Sequence, residues 1–292
     1  MALLSTSPPS TERSTTPPPT TAPPGVRRAG MKIQRASPRV VFRRLGNLAP
    51  ALVLGLVLLA FWQAVTANGS ISPYVLPTPT DVARSFWHSL NDGLLLGYTV
   101  ATLEESLIGF ALGACIAVPL GYGIARSRLI SRAIEPYLAA SQAIPAVALA
   151  PLLVLWLPYG LPPIAVLCAL IVFFPAVVTT ALSVRMLDRE VLDAARSDGA
   201  GRWALLRHIE FPLALPGILA GLRTSLTLSI TGAIVGEFVT GDRGLGGLLN
   251  IARGQLDSAL VFATLLMLAL LAATLYVLAR LIERRVSYLE VD

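Results

Sequence analysis

Charged side chains are scarce in this chain, with Asp, Glu, Lys and Arg together making up 14% of its 292 residues. Soluble domains carry about a quarter, so water is excluded as the solvent for most of this surface. The parts needed for catalysis are missing as well. There are two histidines, His88 and His208, each without a second histidine, a cysteine or clustered carboxylates at ligand spacing, so no metal site is expected. The two cysteines, Cys115 and Cys168, lie in separate apolar runs, which implies neither a disulfide framework nor a CxxC centre. No GxxxxGK[ST] phosphate loop is present, so the chain does not hydrolyse ATP by that mechanism. GxSxG, HExxH and paired intramembrane carboxylates are absent too, and neither intrinsic catalysis nor a cofactor on this chain is expected. No signal peptide is read, because the first apolar run begins only near residue 48. No internal repeat is visible.

What the chain has in quantity is apolar surface, with 54% hydrophobic residues and a mean hydropathy of +0.69. A helix needs about 20 apolar residues to cross a bilayer. Runs of roughly that length fall near 48–65, 107–125, 139–157, 164–181, 216–235 and 260–278. The fold class is therefore all-α, a polytopic membrane protein with six transmembrane helices. None of the runs alternates, which excludes a β-barrel. The net charge of +6 reports topology and not a nucleic-acid partner. All basic residues except Arg84, Arg223, Arg243 and Arg253 lie before the first run, between runs two and three, between four and five, or after six. The positive-inside rule thus predicts that both termini are cytoplasmic. Arg223, about two turns into the fifth run, is expected to snorkel to the headgroups.

The organisation read from these features begins with a basic, Pro/Ser/Thr-rich tail over 1–45, cytoplasmic and expected to be disordered. A first transmembrane helix follows over 46–66, then an outer loop with a short amphipathic helix over 67–98. Five transmembrane helices occupy 99–286, with a cytoplasmic loop at 187–215, and a C-terminal tail covers 287–292. In the outer loop Asp81 is a candidate N-cap, and Val82, Phe86 and Leu90 share a helical face suited to the interface or to packing on the bundle. Gly241, Gly244, Gly246 and Gly247 precede an apolar set, Leu245, Leu248, Leu249 and Ile251, which predicts a short re-entrant or interfacial helix.

Polar groups inside a bilayer are costly unless they face the bundle or water, which makes Ser141, Gln142, Pro145, Thr179, Ser229, Thr231 and Glu237 candidates for a translocation path. Hydroxyls also bond back to their own helix, and a salt bridge from Glu237 to Arg243 is an equal alternative to a gating role. Glu104 and Glu105 are expected to cap the N-terminus of the second span. The loop between spans four and five is the most patterned segment. A helix over about 189–198 ends at Gly199, which suits a left-handed C-terminal position, and a second helix follows over about 202–210. Ala194 and Ala195 are small enough to sit in a partner's groove, with Asp193 and Arg196 beside them. Pro212 and Pro216 are expected to stop helix propagation before span five. From the residues alone, such a loop could equally cover the helix ends.

The order Asp193, Ala194-Ala195, Gly199-Ala200, Ile209 and the pair Pro212/Pro216 resembles the EAA loop of permease subunits of bacterial ATP-binding-cassette (ABC) importers, with Asp193 where that family usually has glutamate. The resemblance runs over roughly 73–286. Leu76-Pro77-Thr78-Pro79, Gln142-Ala143-Ile144-Pro145, Phe173-Phe174-Pro175 and Gly221-Leu222-Arg223 resemble the nitrate, taurine and aliphatic sulfonate branch. Gly236-Glu237-Phe238 with Phe262-Ala263 resembles the sub-branch associated with thiamine pyrimidine precursors or riboflavin. Ala146 departs from the pattern, since many relatives carry a basic residue there. The resemblance implies a type I importer permease bundle in the bacterial cytoplasmic membrane, forming the path for a small organic or oxyanion solute of the nitrate, sulfonate or taurine type, with a thiamine pyrimidine precursor or riboflavin as the alternative. It implies two copies, most simply a homodimer, two cytoplasmic ATPase subunits holding ATP and Mg and docked on the Asp193–Gly199 loop, and an extracytoplasmic solute-binding protein. An ion-coupled secondary transporter is the alternative class. It needs a charged coupling residue near the midplane, whereas the acids here lie at span ends.

Overall fold

The computed structural model describes residues 38–69, 71–241 and 243–289, and every regular element among them is helical. The chain divides into two units, Met1–Leu54 and Gly55–Asp292. Of the first unit, the opening of helix α1 (Pro38–Ala67) is described. Helix thus begins inside the segment expected to be a tail through residue 45, and the rest of that expectation, 1–37, lies outside the described residues. In the second unit follow α2 (Pro79–Asn91), α3 (Leu94–Arg126), α4 (Arg128–Gln142), a 3₁₀ turn (Ala146–Leu149), α5 (Ala150–Trp156) and α6 (Leu161–Arg185). Then come α7 (Arg189–Ser197), α8 (Arg202–Leu205), a π-helical turn (Leu206–Glu210), α9 (Phe211–Thr240), α10 (Gly244–Gly254) and α11 (Ser258–Leu289).

Four helical stretches among the described residues are long and apolar enough to span a bilayer: Leu94–Arg126, Leu161–Arg185, Arg202–Thr240 and Ser258–Arg285. The described apolar part of α1, Val53–Ala67, is shorter. The expected straight span at 139–157 is broken instead. Helix α4 stops at Gln142, and the chain resumes after Pro145 at a bend of 82°. Proline removes a backbone donor and disfavours helix at the residue before it, so Ile144-Pro145 is where the ladder fails. Counted as one broken span, this pair raises the number to five.

Helix α6 is apolar all round, the pattern of a helix buried on several sides, and it packs between α3 and α9. Small residues permit this. On α3, Gly109, Gly113, Ala117 and Gly121 recur every fourth residue and are all buried. A Cβ at Gly113 would sit 2.7 Å from the Ala169 carbonyl, and one at Gly121 2.7 Å from that of Val177. From the other side Gly217, Gly221, Gly232 and Gly236 of α9 meet Ser183, Thr179, Cys168 and Ile164 of α6. Between membrane helices, close approach of this kind replaces the hydrophobic drive that lipid does not provide. Gly113→Leu is accordingly expected to cost about 1–3 kcal/mol or more through overpacking, read as a lower Tm of the detergent-solubilised protein; an unchanged Tm would mean the helices separate without loss.

A second core joins α10 to α3, α9 and α11 through Leu95, Ile230, Leu245, Leu248, Leu249, Leu268 and Leu271. Phe86 and Leu90 of α2 pack against it, so the face of α2 serves the bundle. The N-cap of α2 is Thr78, whose hydroxyl accepts from Asp81 N at 3.1 Å, and Asp81 sits in the first turn. The Arg223 Nη1 donates to Glu283 at 2.6 Å, and its guanidinium lies 5.2 Å from the Tyr276 ring centroid.

Candidate functional site

The loop at 187–215 is built by local chemistry. Asp188 caps α7, its Oδ1 accepting from Glu190 N at 2.9 Å. Gly199 ends the helix at φ +87°, and Gly199 N and Ala200 N donate back to the carbonyls of Arg196 and Ala195 at 3.0 and 3.1 Å. Leu192 is the side chain of α7 that is buried. Asp193, Ala194 and Arg196 are exposed, Ala195 and Ala200 half-buried, and Asp193 pairs with Arg196 at 2.6 Å on the surface. After Gly201 the chain becomes helical and stays so. Pro212 and Pro216 do not stop it, because Pro212 lies in the first turn of α9, where a missing donor costs little, and Pro216 is carried inside. The π-helical turn at Leu206–Glu210 takes up the change of ladder, with Ile209 half-buried in it.

Glu210, almost fully buried, anchors the end of this loop to α3. It accepts from Tyr122 Oη at 2.5 Å and from Arg126 Nε at 2.9 Å, and it forms an ion pair with Arg126 Nη2. Sequence reasoning missed this residue. Its one signal was a carboxylate at the foot of an apolar run, which has no partner until α3 is placed.

Of the candidate path residues, Ser141, Gln142, Pro145 and Thr179 come together. With Ile144, Ala146, Ile171, Phe174, Pro175 and Val178 they line an open groove of about 530 Å³ at the break between α4 and the 3₁₀ turn, against α6. Ser141 and Thr179 donate to carbonyls of their own helices, Leu138 and Pro175, at 2.9 and 2.8 Å, leaving oxygen lone pairs for other donors. Among the described residues, no ionisable side chain lines the groove. Thr231 is exposed elsewhere on α9. Ser229 is fully buried, donates to Leu226 O at 2.7 Å, and its own carbonyl accepts from Cys168 Sγ at 3.3 Å across the α6–α9 contact.

Glu237 is also fully buried, away from the groove. Its Oε1 accepts from Thr102 Oγ1 at 2.6 Å and its Oε2 from Gly246 N at 2.6 Å, while Thr102 Oγ1 accepts from Leu245 N at 2.8 Å. The carboxylate therefore caps the N-terminus of α10, where unpaired N–H groups and the helix dipole favour negative charge. Glycine is required at Gly244 and Gly246, since a Cβ on either would run into the Glu237 side chain, and Gly244 also has φ +63°. Arg243 pairs not with Glu237 but with Glu105, at 3.4 Å, and with Glu104, at 3.7 Å. Two expectations are corrected here. Glu104 and Glu105 do not cap a helix, because α3 starts at Leu94. Paired carboxylates do occur within the membrane helices, since buried Glu105 lies beside Glu237. Thr102 and the pairing of Glu105 with Glu237 were not visible in the sequence, since both partners lie more than a hundred residues from Glu237 along the chain and are joined to it only by packing of α3 on α9.

A bundle of apolar helices with a small-residue spine, a broken span lining a groove and a patterned loop anchored back to the bundle define a polytopic membrane transport subunit. Residues 117–288 match the family of binding-protein-dependent transport system inner membrane components, and the chain belongs to it. It is the permease subunit of an ABC importer of the bacterial inner membrane, with ATP hydrolysis on a separate partner chain. It is 48% identical over 258 residues to the riboflavin transport system permease protein RibX of Chloroflexus aurantiacus, covering 87% of this chain and 96% of that one. It is 32% identical to SsuC of Escherichia coli, named for transport of aliphatic sulfonates, over 80% of this chain and 88% of that one. Among solved structures a chain of the inward-facing MetNI methionine ABC transporter shares the fold, with a TM-score of 0.60 at 19% identity over 66% of this chain and 96% of that one.

Proposed function

We propose that this permease imports a neutral heteroaromatic solute of the riboflavin or pyrimidine-precursor type, and that the groove at the α4 break is part of its path. The observation that carries this is the lining: Phe174, Ile171 and Ile144 offer apolar area, Gln142 offers an amide, and among the described residues no cation lines it to hold an oxyanion. A flat ring with lactam edges is matched by such a surface. A sulfonate or nitrate would enter it without a charge partner, and Ala146 stands where a basic residue would have supplied one. The 48% identity to a riboflavin permease supports the same choice.

In this reading two copies pair so that their grooves face a common path, and both termini lie in the cytoplasm, as the distribution of basic residues predicts. Two ATPase subunits grip the exposed tips of the loops at Asp193, Ala194, Arg196 and Gly199. A binding protein delivers solute at the opposite face. Closure of the ATPases on ATP draws the paired loops together. Glu210, held to Tyr122 and Arg126, passes the movement into α3 and α9.

The test is uptake into proteoliposomes holding the permease, its ATPase and its binding protein. Labelled riboflavin is expected to accumulate with ATP and taurine is not. The pair Phe174→Ala and Gln142→Ala is expected to reduce accumulation about tenfold or more, from the loss of ring contact and one amide hydrogen bond at about 1 kcal/mol each. Accumulation of taurine instead would return the substrate to the sulfonate class. ATP-independent uptake coupled to an ion gradient would overturn the importer mechanism itself.

A further inference from the structure

We propose that a basic cavity where α3, α4, α6 and α7 meet binds the phosphate headgroup of an anionic phospholipid. The cavity, about 380 Å³, is lined by Arg126, Arg128, Arg185 and Arg189 over a floor that includes Ile124, Leu187 and Leu192. Two of the arginines are already satisfied. Arg126 is held by Glu210, and Arg185 donates to Glu135 at 2.6 Å, Ser131 at 3.3 Å and the Ile124 carbonyl at 3.4 Å. Arg128 and Arg189 have no hydrogen-bond or ion-pair partner among the described residues, so two of the arginines lining the cavity are uncompensated. Guanidinium matches phosphate oxygens with paired N–H donors.

The setting selects a lipid over a soluble anion. Arg126 and Arg185 are the last residues of spanning helices α3 and α6, which puts the cavity at the depth of the headgroups. Leu129 and Met186, immediately beside the arginines, are 80% and 77% exposed. Acyl chains would cover these side chains, whereas a free phosphate would leave them bare. Basic pockets between spanning helices at a cytoplasmic surface are a recurrent form of anionic headgroup site. The site uses neither the groove nor the exposed tip of the α7 loop, and it stands whether or not the proposed substrate is right.

The experiment uses the full-length protein in mild detergent, compared as wild type, Arg128→Gln/Arg189→Gln and Arg128→Lys/Arg189→Lys. Native mass spectrometry counts retained phosphatidylglycerol against phosphatidylcholine, and Tm is read with each lipid and with inorganic phosphate. Wild type is expected to retain phosphatidylglycerol selectively and to gain Tm from it. The glutamine pair is expected to lose that retention about tenfold or more and the lysine pair to keep most of it. Both arginines are exposed and unpartnered, so the glutamine variant is expected to fold, and Arg128→Gln alone should show a partial loss. Equal retention of phosphatidylglycerol by wild type and the glutamine pair would overturn the proposal. A Tm gain from inorganic phosphate alone, with no lipid retained, would overturn it in favour of a free anion.

Discussion

Gly199→Val is expected to lower ATP-driven uptake by more than tenfold while the protein still folds and reaches the membrane. The loss would not come from crowding, because a Cβ at Gly199 meets nothing within 4 Å. It would come from the backbone. Gly199 sits at φ +87°, and a β-branched residue there costs about 1–2 kcal/mol or leaves the left-handed region. Either way the bonds from Gly199 N to Arg196 O and from Ala200 N to Ala195 O are loosened, and with them the end of α7. That end carries the small, exposed surface at Ala194 on which the ATPase is proposed to seat. Gly201→Ala provides the control. Gly201 also has nothing within 4 Å of its Cβ, but its φ of −66° suits any residue, so uptake should be unchanged. If both variants transport like wild type, the loop does not couple the two subunits.

Glu237→Ala is expected to destabilise the protein by about 3 kcal/mol or more, because it leaves the Gly246 N–H and the Thr102 hydroxyl buried without their acceptor, each costing about 1–3 kcal/mol. The loss would be read as a lower Tm and as faster proteolysis around α10. Glu237→Gln keeps one carbonyl acceptor but turns an NH₂ toward the other donor, so an intermediate loss is expected. The measurement also separates two roles. A variant with wild-type Tm and impaired uptake would make Glu237 a path residue, whereas a fall in Tm shared with Thr102→Val would establish it as the cap of α10. Thr102→Val is the matching change because Thr102 passes a hydrogen bond from Leu245 N to Glu237.

Features that depend on local spacing were legible in the sequence. The apolar runs within α3, α6, α9 and α11, the end of α7 at Gly199 and the short helix after Gly244 follow from residues a few positions apart, and the structure has them. The third run misled because its composition is mostly apolar while Pro145 interrupts the hydrogen-bond ladder; hydropathy averages over such a break. The prolines at 212 and 216 misled in the opposite sense, since proline stops a helix only where its missing donor was needed, and the π-helical turn before α9 removes that need.

The candidate site divides along the same line. Ser141, Gln142 and Pro145 are near neighbours in the chain, and a helix break is enough to present them together. Thr179 reaches the same groove only because α6 packs there. Glu237 looked like a gate because an acid near a span end is costly without water. Its carboxylate bonds to the N-terminus of α10 and to Thr102, 135 residues earlier in the chain, partners that only the packing brings together.

By itself, the sequence determined that this is a helical membrane protein, where most of its spanning segments lie and where the helix-Gly199-helix loop falls, because hydropathy, capping and turn chemistry act over one helix or less. Only the tertiary structure decided which polar groups face the groove and which are buried as pairs. That choice depends on how closely helices approach, and close approach is set jointly by glycines on α3 and α9 and the side chains of α6 between them.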